Sequence, residues 1–122
     1  MFEVMDGLND GVVGVTAVGT IGREDYESTL LPLIDEAVAE HGKIAAVIVL
    51  GPEFEGYSAG AAFDDMRLGF DHATAFRRIA VVSDNEWIRN GAAALMYLFP
   101  GKAKGFATAD VDAAKAWASE PD

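Results

Sequence analysis

No cysteine occurs anywhere in the 122-residue chain. That excludes disulfides, thiolate metal sites and cysteine nucleophiles together, and it is compatible with a reducing cytoplasm. Basic residues are scarce, nine Lys and Arg against 20 Asp and Glu, for a net charge of -11. Such a field repels polyphosphates and anionic headgroups, so nucleic acid is not an expected partner. No apolar run approaches the roughly 20 residues of a membrane-spanning helix. The start, Met1-Phe2-Glu3-Val4-Met5-Asp6, lacks the basic and apolar regions of a secretory signal. Neither Gly-rich nucleotide-binding pattern appears, and no cofactor is expected. The expectation is a cytoplasmic protein with no membrane span.

About half of the residues are apolar, enough for a single domain over residues 1–122. Gly and Pro fall singly between periodic segments, and there is no repeat or linker. Phe2 to Met5 and Val12 to Val18 are β-prone runs around the turn formers Asp6 to Gly11, which predicts a hairpin. A helix follows, capped near Gly22, stopped at Gly42 and striped by Tyr26, Leu30, Leu33, Ile34, Ala37 and Val38. Pro32 lies inside that stripe and predicts a kink. Ile44 to Leu50 and Ile79 to Val82 are continuously apolar, the mark of strands covered on both faces. Between them, a loop through Phe54 and Tyr57 leads to a second helix from Ser58, with Phe63, Met66, Phe70 and Ala73 on one face. Ser83-Asp84-Asn85-Glu86 has the form of a capping box and opens a third helix ending at Phe99. Lys102 to Ala107 then makes an edge strand, and Asp110 to Ser119 a last helix carrying Trp117. The order ββαβαβαβα predicts an α/β fold, with a five-stranded, mostly parallel (mixed) sheet and four helices.

Ligands of such sheets sit outside the carboxyl ends of the strands. That end collects Glu53, Phe54, Glu55, Tyr57 and Ser58, together with Ser83, Asp84, Glu86 and Trp87. A serine hydrolase needs a base within hydrogen-bond reach of its nucleophile. His72 falls 14 residues beyond Ser58 on one predicted helix, roughly 21 Å away, and His41 precedes the first central strand. Both histidines belong at the opposite end of the sheet, so Ser58 and Ser83 read as helix caps and no catalytic residue is assigned. Asp65 and His72 are about 10 Å apart along a helix, too far to share one metal. The carboxylates Glu53, Glu55, Asp84 and Glu86 read as a solvated face rather than a metal site.

The sharper signal is apolar. The third helix carries one stripe through Ile88, Ala92, Leu95 and Phe99, and another through Trp87, Gly91, Ala94 and Leu98. A helix packed on a sheet needs only one, so a neighbouring helix, a second subunit or an apolar ligand should cover the other.

Gly19, Glu24-Asp25-Tyr26, Pro32, Gly51-Pro52-Glu53-Phe54-Glu55-Gly56-Tyr57, Ser83-Asp84 with Trp87-Ile88-Arg89, Pro100-Gly101, and Ala114 with Trp117 resemble the SpoIIAA-like family of bacterial STAS-like domains, over nearly the whole chain. The resemblance implies the STAS fold. It also implies either binding of a lipid or other apolar ligand, by likeness to CRAL-TRIO domains, or a regulatory contact like that of anti-sigma factor antagonists. The antagonists carry a phosphorylated serine just before a glycine at the start of the second helix. The matching stretch here is Tyr57-Ser58-Ala59-Gly60, with Ala59 at the acceptor position and Ser58 one place early. A phosphorylation switch is therefore not expected.

The leading expectation is a non-enzymatic domain for a small apolar molecule or lipid, its site lined by Phe54, Tyr57, Phe63, Met66, Trp87, Leu95 and Phe99. The alternative is a regulatory module whose third helix and acidic end dock a protein partner or form a homodimer.

Overall fold

The computed structural model describes residues 1–58, 74–94 and 101–121. Seven strands stand among the described residues: β1 (Phe2–Val4), β2 (Val12–Ala17), β3 (Gly19–Ile21), β4 (Ile44–Val49), β5 (Phe54–Tyr57), β6 (Phe76–Val82) and β7 (Lys102–Phe106). Five of them form the main sheet in the order β1-β2-β4-β6-β7. β1 runs antiparallel to β2, and every other neighbour in this sheet is parallel. The sheet is therefore five-stranded and mostly parallel, as the pattern of apolar runs predicts.

The continuous apolar run of β4 sorts by alternation into two cores. Ile44 and Ala46 face one layer with Val15, Ala17, Phe76 and Val81. Ala45 and Val47 face the other with Val12, Ala80 and Val82. A bulge carries this alternation through β6, because Ile44 pairs with Phe76 while Ala45 pairs with Arg78. The extra residue, Arg77, keeps Phe76 on the first layer.

The first predicted helix covers that layer and contains an irregularity. Helix α1 (Arg23–Asp25), a π turn (Tyr26–Leu30) and α2 (Leu31–His41) follow one another without a break. The Leu31 N–H donates to the Tyr26 carbonyl, five residues back. Pro32, in the first turn of α2, has no N–H to donate and crowds the turn before it. The irregularity predicted at Pro32 thus takes the form of a widened turn preceding it. Tyr26, Leu30, Ile34 and Ala37 of the predicted stripe are buried, and Leu33 and Val38 pack against the same core.

Helix α3 (Glu86–Ala94) lies on the same face of the sheet, over β6 and β7, with Ile88 against the core. Its approach depends on Gly105, where a Cβ would sit 3.0 Å from the Arg89 backbone. Helix α4 (Val111–Ser119), entered through a 3-10 turn (Thr108–Asp110), covers the opposite face with Ala114 and Ala118 fully buried. The rest of that face is covered by the β1-β2 loop. At Gly14 a Cβ would lie 2.7 Å from Met5 Sδ and 2.8 Å from Leu8 Cδ1, so a larger residue would have to displace these loop side chains from β2.

One predicted feature lies outside the described residues and another is revised. Three helical bodies, rather than four, stand among the described residues; the helix predicted from Ser58 falls on 59–73, outside them. The loop through Phe54 and Tyr57 contains a strand: β5 pairs in parallel with β3 as a separate two-stranded ribbon. Its ends are fixed by Gly19 N–H to the Glu53 carbonyl at 2.7 Å and Ser58 N–H to the Ile21 carbonyl at 2.8 Å.

Candidate functional site

The carboxyl ends of β4, β6 and β7 bring three loops together. Backbone bonds hold them in order: Leu50 N–H donates to the Val82 carbonyl at 2.7 Å, and Ser83 N–H to the Phe106 carbonyl at 2.8 Å. Ser83 therefore extends the ladder of β6 and is buried, so it cannot serve as the predicted cap. Its Oγ accepts the Asn85 N–H at 3.1 Å. Asn85 takes over the capping role: its side-chain oxygen accepts the Trp87 N–H at 2.9 Å, and its carbonyl accepts the Arg89 N–H at 3.1 Å.

Asp84 bridges two of the loops. Its carboxylate accepts the Thr108 N–H at 2.9 Å and the Thr108 hydroxyl at 2.6 Å. These two bonds, with a smaller contribution from the positive charge of Arg89, hold the carboxyl below its ordinary range. Gly51 lies beside the same threonine, a Cβ there meeting Thr108 Cγ2 at 3.8 Å. Asp84 is thus engaged in fastening the sheet end. Among the described residues no group of three or more His, Asp or Glu side chains could hold a metal ion.

The sequence-predicted site residues separate on the structure. Phe54 and Tyr57 join an aromatic chain that starts in the core: Phe2 to Tyr26 at 5.4 Å between ring centroids, Tyr26 to Tyr57 at 6.2 Å and Tyr57 to Phe54 at 5.1 Å. Phe54 is half-buried against the core, and Tyr57 reaches the surface. Trp87 projects into solvent, 86% exposed. Ile88, from the other stripe of the same helix, faces the core. Gly91, one turn beyond Trp87, is exposed, and among the described residues nothing outside its own turn of helix comes within 4 Å of where its Cβ would be. Phe63, Met66, Leu95 and Phe99 lie outside the described residues, as do Asp65, His72, Phe70, Ala73 and Leu98. Ser58 is half-buried at the end of β5. His41 sits at the other end of the sheet, beside Gly11, so Ser58 and Ser83 are parted from it as expected.

One open pocket of about 400 Å³ lies at that opposite end, between the β1-β2 loop and the C-terminal part of α4. It is lined by Leu8, Asn9, Lys115, Ser119 and Glu120 among others, and by none of the predicted site residues. Near it a cationic latch holds α4. Arg78, 5% exposed, donates to the Trp117 carbonyl at 2.9 Å and to Glu120 Oε2 at 3.1 Å, with its guanidinium 4.8 Å from the Trp117 ring centroid. Arg77 donates to the Ala118 and Glu120 carbonyls. Sequence reasoning missed this pair, whose only signal was two adjacent arginines at the start of a central strand.

A mixed, mostly parallel sheet with helices on both faces defines an α/β domain. The SpoIIAA-like family model matches residues 12–119, and the chain belongs to that family. It is also similar to an uncharacterized protein of the DUF3478 family with a SpoIIAA-like fold from Shewanella loihica PV-4. That match has 30% identity and a TM-score of 0.78, covering 97% of this chain and 92% of that one. Neither description indicates a catalytic family. A search of curated proteins finds no match. No helix among the described residues is long and apolar enough to cross a membrane.

Proposed function

We propose that this domain is a non-enzymatic regulatory module that docks a protein partner through the carboxyl end of its sheet. The observation that carries the reading is Trp87, 86% exposed on the first turn of α3. An exposed indole at the end of a parallel sheet where ligands bind is a ready interface anchor, since tryptophan is enriched among the residues that dominate binding energy. Gly91, open on the same helix, lets a partner backbone come close. The test is a photo-crosslinking side chain at Asn90, exposed one turn beyond Trp87, compared in cells with the same group at Lys43 at the opposite end. The reading predicts a polypeptide adduct from position 90 alone, lost when Trp87 is also changed to Ala; no adduct, or equal adducts from both positions, contradicts it.

A second reading, favoured by the aromatic chain from Phe2 to Phe54, is a small apolar ligand or lipid held by Phe54, Tyr57, Phe63, Met66, Trp87, Leu95 and Phe99. Native mass spectrometry of gently purified protein separates the two. A bound small molecule that a fluorescent fatty acid displaces supports the ligand, and a clean apo mass without displacement removes it.

A further inference from the structure

Resting on the docking reading, we infer that the partner presents a basic polypeptide segment, with a large apolar residue for Trp87, to the carboxyl end of the sheet. The inference comes from the distribution of charge. The described segments that follow β4, β6 and β7, residues 50–58, 83–86 and 107–110, carry Glu53, Glu55, Asp84, Glu86 and Asp110, all exposed, and no Lys or Arg. Asp84 is occupied with Thr108, but Glu53, Glu55, Glu86 and Asp110 make no ion pair among the described residues. Arg89, on the same helix as Trp87, is half-buried with its stem against Gly105.

Lys43, Arg77, Arg78 and Lys102 lie instead at the amino ends of β4, β6 and β7, so the molecule is charged unevenly along its strands. A patch of one sign around an apolar anchor steers partners of the opposite sign and rejects its own. A second copy is a poor occupant. It carries the same net charge of -11, and its Arg77 and Arg78 are engaged with the end of α4.

The test selects random dodecapeptides displayed on phage against the full chain, with the Trp87→Ala variant as counter-selection, and titrates the recovered peptides in solution. Peptides of net positive charge with at least one large apolar residue are expected. Their affinity should fall about tenfold or more when Glu53, Glu55 and Glu86 are all changed to Gln. It should fall similarly as salt rises from about 0.1 M to about 1 M. In Trp87→Ala it should fall about thirtyfold or more, with an unchanged circular dichroism spectrum. Trp87-dependent peptides that are neutral or acidic would overturn the inference and leave the docking reading standing. No Trp87-dependent peptide at all would overturn both. Basic peptides that respond to the Gln changes but not to Trp87→Ala would mark unspecific attraction and overturn the inference. So would self-association of the chain that is lost in Trp87→Ala, because a second copy would then occupy the face.

Discussion

Asp84 grips Thr108 twice, its carboxylate taking both the backbone N–H at 2.9 Å and the hydroxyl at 2.6 Å. The clasp ties the loop after β6 to the loop after β7, and it holds the base of α3, from which Trp87 projects. Its strength depends on ionisation. The two Thr108 bonds place the folded pKa of Asp84 below the ordinary 3.8 of the unfolded chain. The contribution is therefore complete above about 3.8 and disappears as pH falls through the folded value. Asp84→Ala should be modestly less stable than the wild type at pH 7, and the gap should close in acid. Urea titrations across that range check it; a gap that widens in acid contradicts it.

The latch on α4 should respond unequally at its two ends. Arg78 is buried and makes charged hydrogen bonds, whereas its partner Glu120 is 59% exposed at the side chain. Arg78→Met leaves the Trp117 carbonyl and the Glu120 carboxylate without their donor and should cost about 2 kcal/mol. Glu120→Gln should cost less than about 1 kcal/mol, because an exposed partner recovers its hydration. Denaturant midpoints of the two variants measure the asymmetry directly.

Two glycines sit at close approaches, so both should resist enlargement beyond a methyl group. Gly14→Val drives a side chain into Met5 and Leu8, and Gly105→Val drives one into the backbone of α3 at Arg89. Each should destabilise by about 1–3 kcal/mol. Only the second should also disturb the carboxyl end, because α3 carries Trp87. Thermal melts give the first effect, and the fluorescence of Trp87 gives the second.

Trp87 itself should be dispensable for folding. Trp87→Phe should change stability by less than about 0.5 kcal/mol and shift the emission maximum to the blue. The remaining indole, Trp117, lies against Arg78 and Phe106. The acidic loops should draw caesium towards Trp87 and repel iodide. The ratio of caesium to iodide quenching should therefore fall when Glu53, Glu55 and Glu86 become Gln. An unchanged ratio would place those carboxylates too far away to act on the indole.

The central architecture is legible because burial writes itself into β4: Ile44 to Val49 is apolar at every position, and only a strand covered on both faces needs that. The β3-β5 ribbon left no such trace. Gly19-Thr20-Ile21 is three residues long, and Phe54 to Tyr57 contains a glycine and a glutamate, so the pairing rests on backbone geometry rather than propensity. The helix cap was ambiguous for a related reason. Ser83 and Asn85 are both good caps, and the Ser83 N–H decides between them by continuing the ladder to the Phe106 carbonyl. The two stripes of the third predicted helix were visible, but periodicity cannot say which of them faces the sheet. Packing of α3 on β7 settles it for the described turns, by burying Ile88 and leaving Trp87 outside.

Hydrogen exchange of the chain with and without a bound partner, or with the tightest peptide selected on it, tests the docking face most directly. The account predicts that protection on binding concentrates in residues 51–58, 83–90 and 107–110, and that Trp87→Ala removes it. Protection centred on 42–43, 77–78 and 101–102, at the opposite end of the strands, would contradict it.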